Sequence, residues 1–380
     1  MTMLTYLFFN IVETLLRMLP FPCKTGLIKI GHPDENSPVL LTCNFHLTVL
    51  RVKMALRGSD VYLLVANSKG INVWCASTGG LLTNHSVTSV LKTSGIEKLV
   101  SHRKVILPQL AATGVERKAI SAMTGWRIIW GPVYAKDLPA FLAKKRKTPD
   151  MRQVGFPLGQ RIEMAIAWAF PISIVTALLM LLIWPQSIGP LTGLIWALSF
   201  LIFISFPLYE GMLKPEGKRI GFIVFDFGRG GFQLLLWGLL ILGIGFLAWM
   251  NHLQADFVIR WGVSSLVVVL LLSMDLMGST PVFKSGLHED RLFRVRVDEQ
   301  KCRGASFCEL VCPRNCFLVD RRAHKARMPN ADRCVRCGAC IVQCPYDALS
   351  FIAPNGEWIT PETIRRYKLN MMGKRTSKVQ

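Results

Sequence analysis

The stretch PVLLTCNFHLTVLRVKMALRGSDVYLLVA, residues 38–66, sets two apolar runs on either side of an amphipathic segment. The runs at 38–44 and 60–66 are short and almost entirely apolar, which is typical of buried strands. Residues 47–58 between them have the spacing of a helix. A strand, a helix and a second strand in this order predict a unit of parallel sheet.

The same alternation continues beyond this unit. A further helix is predicted within residues 83–95, where Thr83 is placed to cap it and Gly95 to end it. We therefore expect a Rossmann-like α/β domain over residues 1–150, with a ligand crevice at the carboxyl ends of its strands. Further strands are predicted at 98–102, 103–110 and 126–133.

Residues 151–283 are predicted to form an all-α transmembrane domain with four spans. No Asp, Glu, Lys or Arg occurs from Met164 to Tyr209, which is enough chain for two spans of about 20 residues each. A third span fits residues 231–251, and a fourth fits residues 258–279. The apolar segment 1–19 lacks the basic start and cleavage site of a secretory signal, so we expect a helix that packs on the first domain or lies along a membrane.

The formal net charge is +21, and the basic residues gather beside the apolar segments. Lys214, Lys218, Arg219 and Arg229 lie between the second and third spans, whereas the short loops after the first and third spans carry no Lys or Arg. By the positive-inside rule, four spans place both soluble regions on the cytoplasmic side of the inner membrane. We therefore expect membrane lipid, and no nucleic acid, as a partner. Asp275, near the end of the fourth span, is either a carboxylate at the interface or a group with an intramembrane role.

Eight of the eleven cysteines lie between Cys302 and Cys344, in a soluble region predicted over residues 284–365 and followed by a basic tail at 366–380. Their close spacing is typical of metal ligation in a reducing compartment. The run CVRCGACIVQCP has the C-x2-C-x2-C-x3-C-P spacing of bacterial ferredoxins, in which three thiolates bind one cluster and the fourth binds the other. We therefore expect an α+β, bacterial-type ferredoxin domain with two clusters.

The first cysteine run, CRGASFCELVCP, matches the second except that Ala305 stands where a cysteine is expected. Exchange of the displaced cysteines predicts a complete four-cysteine set for a [4Fe–4S] cluster and a three-cysteine set that is one thiolate short. The three-cysteine set then holds either a [3Fe–4S] cluster or a [4Fe–4S] cluster whose remaining iron binds water, Cys316 or a substrate atom; a packed free thiol is the other role for Cys316. The three-cysteine set is Cys302, Cys308 and Cys344, and the four-cysteine set is Cys312, Cys334, Cys337 and Cys340.

One cysteine stands apart, in the stretch KGINVWCASTGG, residues 69–80. Asn72 is a suitable N-cap, which predicts a short helix over 72–79 with Cys75 in its first turn. The positive end of a helix favours a thiolate, and a thiolate is a strong ligand for a late transition metal. The alternative is a small buried hydrophobe, which is also our interpretation of Cys23 and Cys43.

Four segments carry a resemblance to a known family: NVWCAS (72–77), LVSHRKVILPQL (99–110), IIWGPVYAKDLPAFL (128–142) and MDLMGSTP (274–281). Together they resemble the corrinoid protein of mercury methylation, whose corrinoid-binding domain is similar to the large subunit of the corrinoid/iron–sulfur protein. The whole chain resembles a fusion of that protein with its two-cluster ferredoxin partner.

The resemblance implies that Cys75 is the lower axial ligand to the cobalt of a corrinoid and the catalytic residue. The segment TCNFHLT (42–48) matches another loop that faces the cofactor, and Gly79 would let a flat ligand approach the backbone. The implied contacts with the corrinoid are Thr42, Asn44, Thr48, Asn72, Val73, Trp74, Ala76 and Gly79.

The implied function is a membrane-anchored methyltransferase that passes a cobalt-bound methyl group to a soft acceptor, which is Hg(II) in the resembling family. The fused ferredoxin would reduce cobalt to Co(I). Expected partners are a methyl-donor protein or a methylated folate-type donor, and a low-potential electron donor. The chain departs from the family in three places. The motif reads CASTGG, without the lysine that usually follows the glycine; Ala305 stands where a cysteine is expected; and no pair of adjacent cysteines follows Cys344.

Two other functions are compatible with these patterns. The first is a membrane-tethered iron–sulfur protein that transfers electrons without methyl transfer. The second is a reductive corrinoid enzyme of the dehalogenase kind, against which a thiolate below the cobalt argues. His46, His85 and His102 are alternative cobalt ligands, although a histidine satisfied by ordinary hydrogen bonds is the plainer interpretation of each.

Overall fold

The computed structural model describes residues 3–17, 19–210, 232–250, 256, 258–264, 267, 293–366, 368–369 and 375–376. The α/β region contains α1 (Met3–Leu15), β1 (Gly26–Ile30), β2 (Val39–Cys43), α2 (His46–Ala55), β3 (Val61–Ala66), α3 (Val73–Thr78), α4 (Asn84–Thr93), β4 (Lys104–Leu107), α5 (Arg117–Thr124), β5 (Arg127–Trp130) and α6 (Leu138–Lys144). The apolar region contains α7 (Leu158–Ile183), α8 (Ile188–Ile204), α9 (Phe206–Tyr209) and α10 (Phe232–Met250).

The first region is built on a five-stranded sheet in the order β1-β3-β2-β4-β5. Strands β2, β3, β4 and β5 are parallel, as predicted, and every residue of β2 and β3 is buried. Helices cover both faces of the sheet, which explains why β2 and β3 are continuous apolar runs in the sequence. The caps at Asn72 and Thr83 are also confirmed, since each side chain accepts a hydrogen bond from a backbone N–H of its helix.

Two features of the sheet differ from the prediction. Strand β1 was not predicted; it is a short edge strand that pairs antiparallel with β3, and only Lys29 of its five residues is exposed. The strand predicted at 98–102 is wrong. A 3₁₀ turn at Ile96–Lys98 includes the first residue of that segment, and the N–H of Ser101 donates to the carbonyl of Glu35 at 2.8 Å instead of joining the sheet.

Helices α7 and α8 pack against each other as an apolar hairpin, joined by a 3₁₀ turn at Pro185–Ser187. Small residues line the contact: Ala165, Ala169 and Ser199 are fully buried, and the Ser199 hydroxyl donates to the carbonyl of Ala165 at 2.8 Å. Small residues and polar contacts of this kind let membrane helices approach closely. Only 11% of the most apolar window of α7 is buried, so most of this apolar surface faces outward.

Four membrane spans are not supported. Within the described part of the chain, two helical segments, Leu158–Ile183 and Pro185–Ile204, are long and apolar enough to cross a bilayer, by length and composition alone. The third expected span coincides with α10. The side chains of the N-terminal residues of α10 are not described by the structure. Most of the fourth expected span lies outside the described residues, as do the basic loop before α10 and Asp275.

Helix α1 packs on α2 and α7, which agrees with an N-terminal helix that packs on the first domain. Its outer face remains apolar and exposed, with Leu4 and Phe8 as examples. Arg17, just after α1, and Arg51 of α2 both bind Glu163 of α7, at 3.1 and 2.9 Å. Arg51 also donates to the side-chain oxygen of Asn10 in α1 at 2.9 Å.

The C-terminal region is a small α+β unit, as predicted. Its elements are β6 (Arg294–Val297), α11 (Phe307–Val311), β7 (Leu318–Asp320), β8 (Lys325–Arg327), α12 (Ala339–Gln343), β9 (Leu349–Ile352), β10 (Trp358–Ile359) and α13 (Pro361–Arg366). Strands β6, β9 and β10 form one antiparallel sheet, and β7 pairs with β8 in a hairpin. In the tail, β11 (Lys368–Leu369) pairs with β12 (Arg375–Thr376), and its other residues after 367 lie outside the description.

A segment after β4, residues 109–115, is called the bridge segment here because it contacts both α3 and the helices of the C-terminal region. At Gly114 the backbone of this segment lies directly against α3. A methyl group at that position would lie 2.8 Å from the carbonyl oxygen of Ser77 and 2.5 Å from that of Leu82. Only glycine permits this approach, which holds α3 over the sheet.

We expect Gly114→Ala to lower the free energy of unfolding by about 1–3 kcal/mol, because the added methyl group must displace backbone atoms. Gly155→Ala is the matched control, since a methyl group there meets no atom within 4 Å. Urea unfolding followed by tryptophan fluorescence measures both. Equal midpoints for the two variants would contradict the assigned contact.

Candidate functional site

Cys75 lies at the start of α3, on its accessible side. The Asn72 side chain accepts a hydrogen bond from the N–H of Cys75 at 3.0 Å, which fixes the first turn. Cys75 is partly exposed, whereas Val73, Trp74 and Ala76 are buried. Of the first-turn residues expected to line a cofactor, the structure therefore leaves Asn72 and Cys75 accessible and packs the other three into the domain.

Helix α3 lies at the carboxyl ends of the parallel strands. It follows β3 and contacts the bridge segment, which follows β4, and these two strands flank β2. The connections from β2 and β4 leave in opposite directions, which makes this the switch point where open α/β sheets bind ligands. Cys75 is thus placed where the topology predicts a ligand crevice.

Asn44 holds the loop that leads into α3. Its side-chain oxygen accepts hydrogen bonds from the N–H of Ser68 at 2.8 Å and of Gly70 at 3.0 Å, and its amide lies 3.4 Å from the carbonyl of Cys23. The Asn44 side chain thus supports the backbone of this loop, and its expected contact with a corrinoid stays a prediction.

The two threonines of the same predicted loop lie beside Cys43. Thr42 is buried and Thr48 is half-buried, and both hydrogen-bond to the Cys43 thiol. Burial raises the pKa of that thiol, which agrees with a structural role for Cys43. Gly79 ends α3 and donates its N–H to the carbonyl of Cys75 at 2.8 Å.

The three histidines have other surroundings. His46 is hydrogen-bonded through Nδ1 to Glu13 of α1, and His102 lies 3.1 Å from the carbonyl of Ser37 through Nε2. His85 is exposed on α4. Each is accounted for by ordinary contacts or by solvent.

Arg17 brings positive charge to the neighbourhood of Cys75. Burial lowers the pKa of the Arg17 guanidinium, while the nearby negative charges of Glu163 and of a Cys75 thiolate oppose that shift. A thiolate at Cys75 therefore has a cation close by, and the same cation is anchored to the apolar hairpin through Glu163.

The three-cysteine set surrounds one cavity. Cys302, Cys308 and Cys344 all line one small cavity, and Ala305 lines it as well. The backbone N–H of Ala326 points to the sulfur of Cys302 at 3.4 Å, a contact of the kind that stabilises thiolates bound to iron. The structure thus brings these three thiols together with the alanine that stands in place of a fourth.

The four-cysteine set lies closer to the α/β region, and Cys316 belongs beside it. The N–H of Cys316 is 3.3 Å from the sulfur of Cys312. Hydrogen bonds from its thiol to the sulfurs of Cys312 and Cys334 raise the pKa of Cys316. Cys316 is therefore a packed thiol next to the complete set, which disagrees with its use as a ligand in the incomplete one.

Within the described residues, no three His, Cys, Asp or Glu side chains converge as they would on one metal ion.

Gln343, directly before Cys344, joins the C-terminal region to the bridge segment. Its side-chain amide donates to the carbonyls of Ala112 at 2.8 Å and Val115 at 2.7 Å, and its oxygen accepts from the N–H of Arg117 at 3.3 Å. The side chain is buried, so these hydrogen bonds are shielded from water.

Lys147 makes a second polar link between the two regions. Its ammonium donates to the side-chain oxygen of Gln109 at 2.5 Å and to the carbonyl of Leu310 at 3.1 Å. Burial, together with repulsion by Arg152, lowers the pKa of Lys147 to about 7. Arg152 in turn pairs with Glu309 at 3.2 Å.

Apolar packing completes this interface. Val311 and Ala339, from the two helices of the cysteine runs, are buried in the same core as the α/β domain, and Cys337 packs against that core. Sequence reasoning found neither Gln343 nor Lys147, because each acts through a contact with a distant part of the chain. Gln343 stands among apolar residues in the second cysteine run, and this placement was the available signal that its side chain is buried.

Comparisons with known proteins assign the two soluble regions separately. A family model described as CO dehydrogenase/acetyl-CoA synthase delta subunit matches residues 17–142, and a 4Fe-4S binding domain matches residues 328–350. The second match covers the whole run that holds Cys334, Cys337, Cys340 and Cys344, which supports a cluster there.

Curated relatives are similar over the α/β region. The acetyl-CoA decarbonylase/synthase complex subunit gamma of Methanopyrus kandleri is 38% identical over 128 residues, 33% of this chain and 27% of that protein. The same subunit of Methanothermobacter thermautotrophicus is 40% identical over 121 residues, 31% of this chain and 26% of that protein. The corrinoid/iron-sulfur protein large subunit of Moorella thermoacetica is 30% identical over 125 residues, 32% of this chain and 28% of that protein. The chain thus spans about a quarter of the length of these relatives, and the predicted similarity to the last of them is confirmed.

We expect Gln343→Leu to loosen the interface, because it leaves the buried carbonyls of Ala112 and Val115 unpaired, at about 1–3 kcal/mol for each group. Amide hydrogen exchange of residues 109–124 should become faster. Gln300→Leu is the control, since that residue is exposed and only its backbone N–H is hydrogen-bonded. If amide hydrogen exchange in Gln343→Leu is unchanged, the hydrogen bonds of Gln343 do not hold the two regions together.

Proposed function

We propose that this protein is a membrane-anchored, corrinoid-dependent methyltransferase whose electrons come from its own ferredoxin region. The observation that carries the proposal is the position of Cys75, a partly exposed thiol on a helix that caps the switch point of a parallel sheet. Supporting it, the α/β region is similar to proteins of which one is named as a corrinoid/iron-sulfur protein. A bound corrinoid would carry a methyl group from a donor to a soft acceptor.

The residues present fit such a group. Cys75 offers one soft donor atom at the accessible start of α3. The hydroxyl of Ser77, two residues later, is buried and has no hydrogen-bond partner among the residues that the structure describes. Cys75 would hold the metal, Asn72 would fix the turn that aims the thiol, and Asn44 would fix the loop before it.

The ferredoxin region would hold two clusters. The four-cysteine set fits [4Fe–4S], and the three-cysteine set fits [3Fe–4S] because Ala305 offers no ligand atom. The packing of α11 and α12 against the bridge segment gives electrons a short covalent and hydrogen-bonded route toward α3. This fixed contact supports electron supply from within the chain.

Membrane anchoring is proposed from the exposed apolar faces of α7, α8 and α1. Helix α7 has 26 residues, about 39 Å of helix at 1.5 Å per residue, which exceeds the hydrocarbon core of a bilayer. Direct contact between the two soluble regions requires both to lie on one side of the membrane, so the number of crossings is even. The hairpin α7–α8 satisfies this requirement by itself.

The resemblance makes Hg(II) the acceptor to test first, and a methylated protein or a folate-type compound the donor. A second candidate function is a membrane-tethered electron carrier without methyl transfer, which the extensive ferredoxin interface favours equally. The dehalogenase-like alternative requires a cobalt without a protein thiolate below it, and the accessible Cys75 disfavours it.

Anaerobically purified protein should contain one cobalt ion per chain and a corrinoid absorption spectrum. We expect Cys75→Ala to change that spectrum and to abolish methyl transfer to Hg(II), because the axial sulfur is lost, while its iron content stays the same. Cys23→Ala, which alters another partly exposed cysteine of the same domain, is the control. Iron without cobalt in the wild-type protein would leave the electron-carrier function, and full turnover by Cys75→Ala would favour the dehalogenase-like one.

The missing ligand at position 305 predicts a spectroscopic change. We expect Ala305→Cys to convert the [3Fe–4S] cluster into a [4Fe–4S] cluster and to raise the iron content from about seven to about eight atoms per chain. Paramagnetic resonance of the oxidised protein should lose the [3Fe–4S] signal. Ala353→Cys, a partly exposed position of the same region that does not line the cavity of the three-cysteine set, serves as the control for an added thiol. Eight iron atoms in the wild-type protein would mean that a ligand other than cysteine completes the first cluster.

A further inference from the structure

A basic hairpin lies on the surface of the ferredoxin region. It consists of residues 318–327, in which β7 and β8 pair antiparallel around the turn 321–324. Together with the loop 302–308, it carries five Lys or Arg side chains and one acid, Asp320. The carboxylate of Asp320 accepts two backbone N–H groups of the turn, at 2.8 and 3.0 Å. The basic side chains are Arg303, Arg321, Arg322, Lys325 and Arg327, of which all but the half-buried Lys325 are exposed.

The basic hairpin is in direct contact with the three-cysteine set. The ammonium of Lys325 donates to the carbonyl of Cys302 at 3.0 Å, and the N–H of Ala326 points to the Cys302 sulfur at 3.4 Å. The two backbones also touch, because a methyl group on Gly304 would lie 2.8 Å from the Cα of His324. Positive charge is therefore concentrated next to the cluster with the missing ligand.

The other side of the ferredoxin region is covered. Helices α11 and α12 bury Val311 and Ala339 in the α/β core, and Gln343 is clamped to the bridge segment. An external redox partner cannot approach through that interface. The basic hairpin, in contrast, is exposed and holds Leu318 with 60% of its surface accessible. An apolar side chain ringed by charges is typical of a site where a protein docks.

We propose that the basic hairpin is the docking surface for an acidic, low-potential, one-electron carrier protein that reduces the cluster of the three-cysteine set. The proposal rests on the iron–sulfur part of the proposed function and not on the corrinoid. One electron leaves the reduced centre of the carrier and enters the cluster, so the carrier is oxidised by one electron and no proton or group moves. The four-cysteine set, against the bridge segment, is then the exit.

Charge complementarity is what selects the partner. A patch of one sign steers an oppositely charged protein and raises its association rate by roughly 10- to 1,000-fold at low salt. Anionic lipid is the other ligand that such charge attracts. The apolar surface that fits a membrane lies on α7, α8 and α1. The charge of the hairpin lies next to the three-cysteine set, which favours the carrier protein.

The test compares two double variants of the full chain with equal change in net charge. Arg321→Glu with Arg322→Glu reverses the turn of the hairpin, where both side chains are exposed. Lys29→Glu with Lys92→Glu reverses two exposed positions of the α/β region and is the matched control. Stopped-flow absorption follows cluster reduction by a reduced, acidic two-iron ferredoxin over a range of ionic strength, and by photoreduced deazariboflavin, a small uncharged reductant.

We expect the hairpin variant to be reduced by the acidic ferredoxin roughly tenfold more slowly at low salt, with the difference shrinking as salt screens the charges. The control variant and all rates with deazariboflavin should match the wild-type protein. Equal rates for the two variants would overturn the proposal, as would slower reduction of the hairpin variant by deazariboflavin.

Two further outcomes separate the possible failures. If the hairpin variant loses binding to phosphatidylglycerol vesicles while its reduction by the ferredoxin is unchanged, the surface binds membrane and the proposal fails. If the wild-type protein holds clusters but no cobalt, the corrinoid function fails while the hairpin result still stands. If it holds no clusters, both fail.

Discussion

The orientation of Cys75 relative to the cysteine sets depends on the bridge segment, residues 109–115. One side of this segment lies against α3 through Gly114, where only a hydrogen atom fits. Its carbonyls at Ala112 and Val115 are held by Gln343, next to the last cysteine of the second run. Because the two contacts are only one or two residues apart in the chain, the thiol helix and the cluster helices cannot move independently of each other.

The same interface limits how the chain can meet a membrane. Val154 donates its N–H to the carbonyl of Pro313 at 2.9 Å just before α7, and Arg314 pairs with Glu210 at 2.8 Å just after α9. The ferredoxin region therefore contacts the chain at both ends of the apolar hairpin. Glu163 adds a third attachment, because it binds Arg17 and Arg51 of the first region. If α7 and α8 cross a bilayer, both soluble regions rest at the surface from which the hairpin enters.

Local patterns predicted much of the fold and part of the site. Buried strands at 39–43 and 61–66, the caps at Asn72 and Thr83, and the grouping of the cysteines follow from spacing and propensity within a few residues. The roles of Asn44 and Gln343 depend on partners that are distant in sequence. The apolar neighbours of Gln343 in the second cysteine run indicated that it is buried, but no local signal identified the partners of either residue. Val73 and Ala76 show a different limit. The sequence placed both residues in α3, but it did not show that their side chains face the core.

Joining donor and acceptor in one chain has a consequence for the proposed reaction. A tethered electron donor acts at an effective concentration set by geometry, so reduction of a cobalt held by Cys75 would not depend on an encounter between two proteins. The buried clamp of Gln343 and the buried link of Lys147 make this contact lasting, since separating the regions would expose unpaired polar groups. Asn72, Cys75 and Thr78 are the partly accessible side chains of α3 and its cap, so the face of the helix opposite Val73 and Ala76 is the one that would receive the cofactor. A corrinoid held by Cys75 would cover this face, and a methyl donor and a methyl acceptor would then reach the cofactor from the side turned away from α3.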